Sequence, residues 1–186
     1  APRVSVVAGI GPWASAPNVL RLATTGYVYD GHEFQQYDVD PWFKLSAARS
    51  LVAMLPATRD RTQLLLLLQG VARTEPDPLK VVRGLALSSL SPDAAAVVSL
   101  LANTHAPSFD NLYAALPASV RAQVDRMSPA VGASQLAAPV ELVQASGDRF
   151  APPGAAALLA RTSPHEPVTP TGTPAHGLLQ PGWPAT

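Results

Sequence analysis

Apolar positions along the chain repeat in two periods, and each predicts its own elements. "RVSVVA", Arg3 to Ala8, carries valines at 4, 6 and 7 and reads as a short buried strand, broken by "GIGPW". "APNVLRLATTG" reads as a short helix, and "YVYDGHEF" as a hairpin or loop around Asp30-Gly31. The middle is helical. In "LSAARSLVAML" the residues Leu45, Ala48, Val52 and Leu55 recur at three- and four-residue steps and make one apolar face. Asp60 is placed to cap "RTQLLLLLQGVA", and Ser108 to cap "FDNLYAAL". "SPDAAAVVSLLAN" opens with Ser91 at the cap, Pro92 in the first helical position and Asp93 in the first turn. "SVRAQVDRM" puts Val120, Val124 and Met127 on one face. About five helices therefore separate the first strand from the next convincing one, Val140 to Ala145.

After that strand "PPGAAALLART" reads as a helix, and "EPVTPTGTPAHG" as a very short strand at best. Pro167 and Pro170 cannot donate to a ladder, so any strand there lies at a sheet edge. Strands separated by helices predict a parallel α/β sheet. Two or three strands are few for a parallel sheet covered on both faces.

Composition narrows the classes. The 186 residues fit one ordinary domain, and 47% are hydrophobic, enough to fill a core. Formal net charge is zero, which gives no electrostatic footprint for nucleic acid or an anionic membrane. The absence of cysteine excludes thiolate metal sites and disulfides and leaves the compartment open. The longest apolar run, Leu64 to Leu68, is far short of the roughly 20 residues of a membrane span and reads as a buried helix face. No histidine–carboxylate spacing on a helix suggests a metal, and no cofactor is called for. "GIGPWA" has the outline of a dinucleotide fingerprint, with Asp30 about 20 residues on. However, Pro12, Trp13 and Pro17 crowd the helix that motif needs.

The candidate chemistry sits near the C-terminus. Functional side chains of α/β sheets gather at the carboxyl ends of the strands. Asp148 lies just past the end of the strand from Val140, and His176 lies in the loop after the next weak strand, "TPAHGLLQP". An acid followed by a histidine in that order fits the last two members of a Ser…Asp…His triad. There the imidazole takes a proton from the serine, and the carboxylate fixes its tautomer. Asp148 after Gly147 also suits an ordinary turn, because aspartate bonds readily to nearby backbone. His32, His105 and His165 read as surface histidines. Trp13, Trp42, Phe43 and Phe109 suit either a pocket lining or a core.

The segment from about 139 to 180, with "APVELVQASGDRFAPPGAAALLAR" and "TPAHGLLQP", resembles the C-terminal part of an α/β-hydrolase. "RVSVVAGIGPWASAPNVLRLATTG" resembles the strand after the nucleophile elbow and the chain leading into the cap. The resemblance implies a partial hydrolase sheet of two to three parallel strands with a helical cap insertion. Residues 1–13 would be a core strand, 14–137 the cap or lid over the active site, and 138–186 the core with the acid and histidine loops. It makes Asp148 the triad acid and His176 the triad base. No G-x-S-x-G occurs in the sequence, so the nucleophile and oxyanion hole are expected from an upstream segment. The expected activity is serine hydrolysis of a small apolar ester, with the chain inactive alone. The alternative is a non-catalytic hydrolase-fold remnant that binds a small apolar molecule or a partner. An unpaired strand near Val4 to Ala8 would make the chain dimerise through that edge or require its upstream half.

Overall fold

The computed structural model of the chain describes residues 5–29, 32–136, 138–145, 148–161 and 168–171. Contacts divide the chain into two compact units, Ala1–Ala14 with Gly132–Thr186, and Ser15–Val131. The fold is mixed α/β.

In the first unit β1, Val7–Ile10, leads the chain into the sheet. The second and third sheet strands are Val140–Ala145 and Val168–Thr171. These become β4 and β5 once the hairpin strands β2, Tyr27–Tyr29, and β3, Phe34–Gln36, are numbered. The sheet order is β1-β4-β5 and both pairings are parallel. The register sets Val7 beside Val140 and Ala145 beside Thr171, so β4 and β5 end level with each other. The first strand is shifted from its expected span of 3–8. Its side chains are half-buried or exposed, and Ile10 is 75% exposed. The valine run suggested full burial, but among the described strands β1 lies at the edge of the sheet, beside β4. Gly9 lies close against β4: a Cβ there would lie 3.1 Å from Leu142 Cδ2, so that side chain would have to give by a few tenths of an ångström. On β4 the alternate residues Val140, Leu142 and Gln144 are buried. The α-helix Pro153–Ala160 packs on β4 and β5, with Ala155, Ala156, Leu159 and Ala160 buried. Among the described strands β5 lies at the other edge of the sheet, the position expected from Pro170.

The second unit is helical apart from the β2–β3 hairpin, whose strands pair antiparallel on either side of the Asp30-Gly31 dipeptide, itself outside the described residues. Its helices are α1 (Ala16–Thr25), α2 (Pro41–Ala53), α3 (Arg59–Gln69), α4 (Lys80–Arg83), α5 (Pro92–Ala102), α6 (Phe109–Ala114) and α7 (Ala118–Arg126). A short α8, Ala130–Ala133, follows where the chain passes to the first unit, and the helix after β4 is α9. The Leu45, Ala48, Val52, Leu55 stripe is buried. It joins Leu68, Leu79, Val97, Leu101, Phe109 and Val120 in one core. Phe109 is fully buried, so it belongs to core packing. Gly26 ends α1 at φ 74°, a left-handed cap where its N–H donates to Leu22 O.

Several expected details are corrected. Thr58, not Asp60, caps α3, accepting from Arg61 N–H, and Asp60 sits in the first turn. Ser91 and Ser108 hold the cap positions of α5 and α6 but make no side-chain cap bond. The Ser108 hydroxyl instead pairs with His105 Nδ1 at 2.9 Å. Met127 is 59% exposed because α7 ends at Arg126 and the chain turns away from the Val120–Val124 face. In α3 only Leu64 and Leu68 are buried, while Leu66 is 62% exposed. Five leucines in a row cover more than half of a helix circumference, and one core cannot cover them all.

Candidate functional site

Local chemistry places Asp148. Beyond β4 the Asp148 N–H approaches Ala145 O at 3.4 Å. The Asp148 carboxylate then folds over the following residues. Its Oδ1 accepts from Phe150 N–H at 2.8 Å and from Ala151 N–H at 3.0 Å. This is the aspartate turn that the sequence allows. One feature exceeds it: Asp148 is only 1% exposed. A buried carboxylate costs several kcal/mol unless it is well bonded, and an ordinary surface turn does not demand that burial.

The same loop is held by its carbonyls. Trp13 Nε1 donates to Phe150 O at 3.0 Å, and Gln144 Nε2 donates to Ala151 O at 2.8 Å. All four backbone polar groups of Phe150 and Ala151 are therefore bonded, the N–H groups by Asp148 and the carbonyls by Trp13 and Gln144. Trp13 comes from the chain just beyond β1, and Gln144 from β4 itself. Among the candidate residues named from sequence, Trp13 thus has a defined polar contact. Gln144 was missed, although strict alternation from Val140 and Leu142 already placed it on the buried face. Its Oε1 is buried and has no hydrogen-bond partner.

His176, the second expected site residue, lies outside the described residues, as does His165. His32 and His105 are exposed. Trp42 belongs to the helical unit, where the Arg49 and Arg73 guanidinium groups lie over its ring at 5.2 and 4.1 Å.

Two described groups of the helical unit have perturbed titrations. Asp60 is held below its ordinary range by the Ser91 hydroxyl first and the Ser91 N–H second, the latter at 2.8 Å. Burial pushes the Tyr113 phenol upward, and its hydrogen bond to Asp125 adds to the rise. In the same unit the exposed Leu66 stands between two grooves of about 510 and 680 Å³. Leu67, Val71 and Val81 line one, and Leu64, Leu85 and Leu90 line the other. No helix among the described residues is long and apolar enough to cross a membrane. Comparison with protein-family models, with curated proteins and with solved structures gave no match to this chain.

Proposed function

We propose that the chain carries the acid–histidine part of a serine hydrolase of the α/β type, acting on a small apolar ester, with Asp148 orienting His176. The observation that supports this reading most is a buried carboxylate fixed at the carboxyl end of the central strand of a parallel sheet. β4 and β5 end level, so the chain leaves β5 at the same sheet edge that bears Asp148. His176 follows Thr171 by five residues, a span of at most about 18 Å. In this reading Asp148 Oδ2 accepts from the imidazole N–H, while Oδ1 stays committed to its own loop. The carboxylate then selects the tautomer and stabilises the imidazolium formed when a serine gives up its proton. That serine is supplied by another segment, because the sequence has no G-x-S-x-G. The helical unit is read as the cap insertion of such a fold.

The test is an NMR titration of the His176 ring in the intact chain. An imidazole bonded to a carboxylate titrates higher than its ordinary value, and Asp148→Asn returns it downward by about one unit or more. An unchanged midpoint in Asp148→Asn overturns the reading. The chain alone is expected to leave a p-nitrophenyl ester unhydrolysed. With a nucleophile-bearing segment supplied, Asp148→Asn cuts turnover by up to about four orders of magnitude.

A second reading, a non-catalytic binding module, is favoured by the exposed Leu66 and its flanking apolar grooves. Saturable enhancement of an apolar fluorophore that is lost in Leu66→Lys, with no His176 response to Asp148→Asn, would select it.

A further inference from the structure

We propose that Gln144 is a positioning residue for Asp148, acting with Trp13 to lock the loop that carries the carboxylate. This rests on the reading of Asp148 as the triad acid.

Two of the bonds to Asp148 come from backbone N–H groups, which tie the carboxylate to the backbone that presents them. That backbone is gripped from the opposite side by Gln144 at Ala151 O and Trp13 at Phe150 O. Swinging the carboxylate away breaks its N–H bonds, and moving the N–H groups breaks the carbonyl bonds. Gln144 is the deeper of the two grips, 4% exposed and rooted in the central strand. The bond to Ala151 O fixes which end of its amide faces the loop, because only the NH2 end can donate to a carbonyl. The other end, Oε1, is then left buried without a partner. Such a group is unfavourable, and an apolar side chain of similar length would avoid it. Gln144→Met removes the orphaned Oε1 but orphans Ala151 O, so the number of unpaired buried acceptors stays the same. A side chain needed only to fill the core would lose little by that exchange. A side chain needed for its donor would lose its function.

The experiment compares wild type, Gln144→Met, Trp13→Phe and Asp148→Asn as intact chains. Three readouts are followed: thermal melting, amide exchange of Phe150 and Ala151, and the His176 titration. Gln144→Met is expected to melt within a few degrees of wild type. Exchange at Phe150 and Ala151 is expected to rise about tenfold, the loss of roughly one hydrogen bond of protection. The His176 midpoint is expected to move toward that of Asp148→Asn. Trp13→Phe, which releases the Phe150 carbonyl and keeps the Gln144 bond to Ala151 O, is expected to shift both readouts the same way by less. It carries the test if Gln144→Met fails to fold. Unchanged exchange and an unchanged His176 midpoint in the folded grip variants would overturn the positioning role. If Asp148→Asn leaves His176 unmoved, the triad reading falls. The exchange readout then still decides whether Gln144 fixes the loop.

Discussion

Among the described residues Arg21 and Asp148 are buried charges of opposite sign, and they are accommodated by opposite means. Arg21 in the helical unit is 8% exposed and ion-pairs with Asp110 at 2.6 Å, across 89 residues of chain. Its guanidinium also lies 4.7 Å from the Phe109 ring centre and 5.7 Å from that of Phe34. Asp148 in the sheet unit is bonded by backbone N–H groups two and three residues ahead of it. The arginine depends on distant side chains meeting in a folded core, and its Nε finds no partner there. The aspartate depends on its own loop, which two further side chains then lock. A buried charge served by long-range side chains is a packing solution, and apolar residues could replace it. A buried charge served by its own backbone, at a strand end, is suited to holding a carboxylate in one orientation.

The largest effect that would break this comparison is at the ring under Arg21. Phe109→Ala empties the centre of the helical core and removes the better cation–π contact, a loss of about 3–5 kcal/mol seen in chemical unfolding. Retention of wild-type stability would show that the arginine, not the ring, organises that core. Next, Asp148→Ala strands the two loop N–H groups and costs about 2 kcal/mol, whereas Asp148→Asn keeps an acceptor oxygen and costs less. Equal losses in the two variants would mean that charge, not the two bonds, holds the loop.

Asp110→Ala leaves Arg21 without its anion. Asp110 is 72% exposed, so solvent screens the pair and the cost is about 1–2 kcal/mol. Arg21→Met is expected to be neutral or stabilising in the same assay, and a large loss there would show that the buried cation is essential to the fold. The smallest effect concerns Asp60. Its folded pKa lies below the ordinary value of 3.8, so the stability it contributes is complete above that value. It is lost as pH falls through the lower folded value. Asp60→Asn should flatten this part of the acid side of the stability–pH curve by slightly lowering stability at neutral pH, where the carboxylate's contribution is complete, and leaving the low-pH end unchanged. An identical acid limb in the variant would show that the Ser91 contacts contribute nothing.

The apolar stripe at Leu45, Ala48, Val52 and Leu55 was legible because a helix period repeats locally, and all four residues are buried. β4 was legible as a β-branched, apolar run, and Asp148 followed from the strand end. The start of α2 at Pro41 was missed, although Asp40 accepts from Trp42 N–H at 2.8 Å and Asp-Pro is the same start signal that marked Ser91-Pro92. The hydroxyls of Ser91 and Ser108 were assigned to their own helices, but Asp60 and His105 engage them instead. The exposure of Ile10 was also hidden, because a run of valines looks alike in a central strand and an edge strand.

The sequence by itself determined the main helices of the middle of the chain, the strand at β4, the apolar stripe of α2, and that an aspartate turn follows β4. Those properties depend on residues a few positions apart, and the backbone periods expose them. Only the tertiary structure decided that β1 lies at an edge, that Arg21 meets Phe109, and that Gln144 and Trp13 grip the aspartate loop. Trp13 and Phe150 are 137 residues apart, and a hydrogen-bonding side chain carries no mark of which distant carbonyl it will reach. Local periodicity is written into the chain, but the choice among many equivalent polar partners is made only when packing brings one of them within about 3 Å.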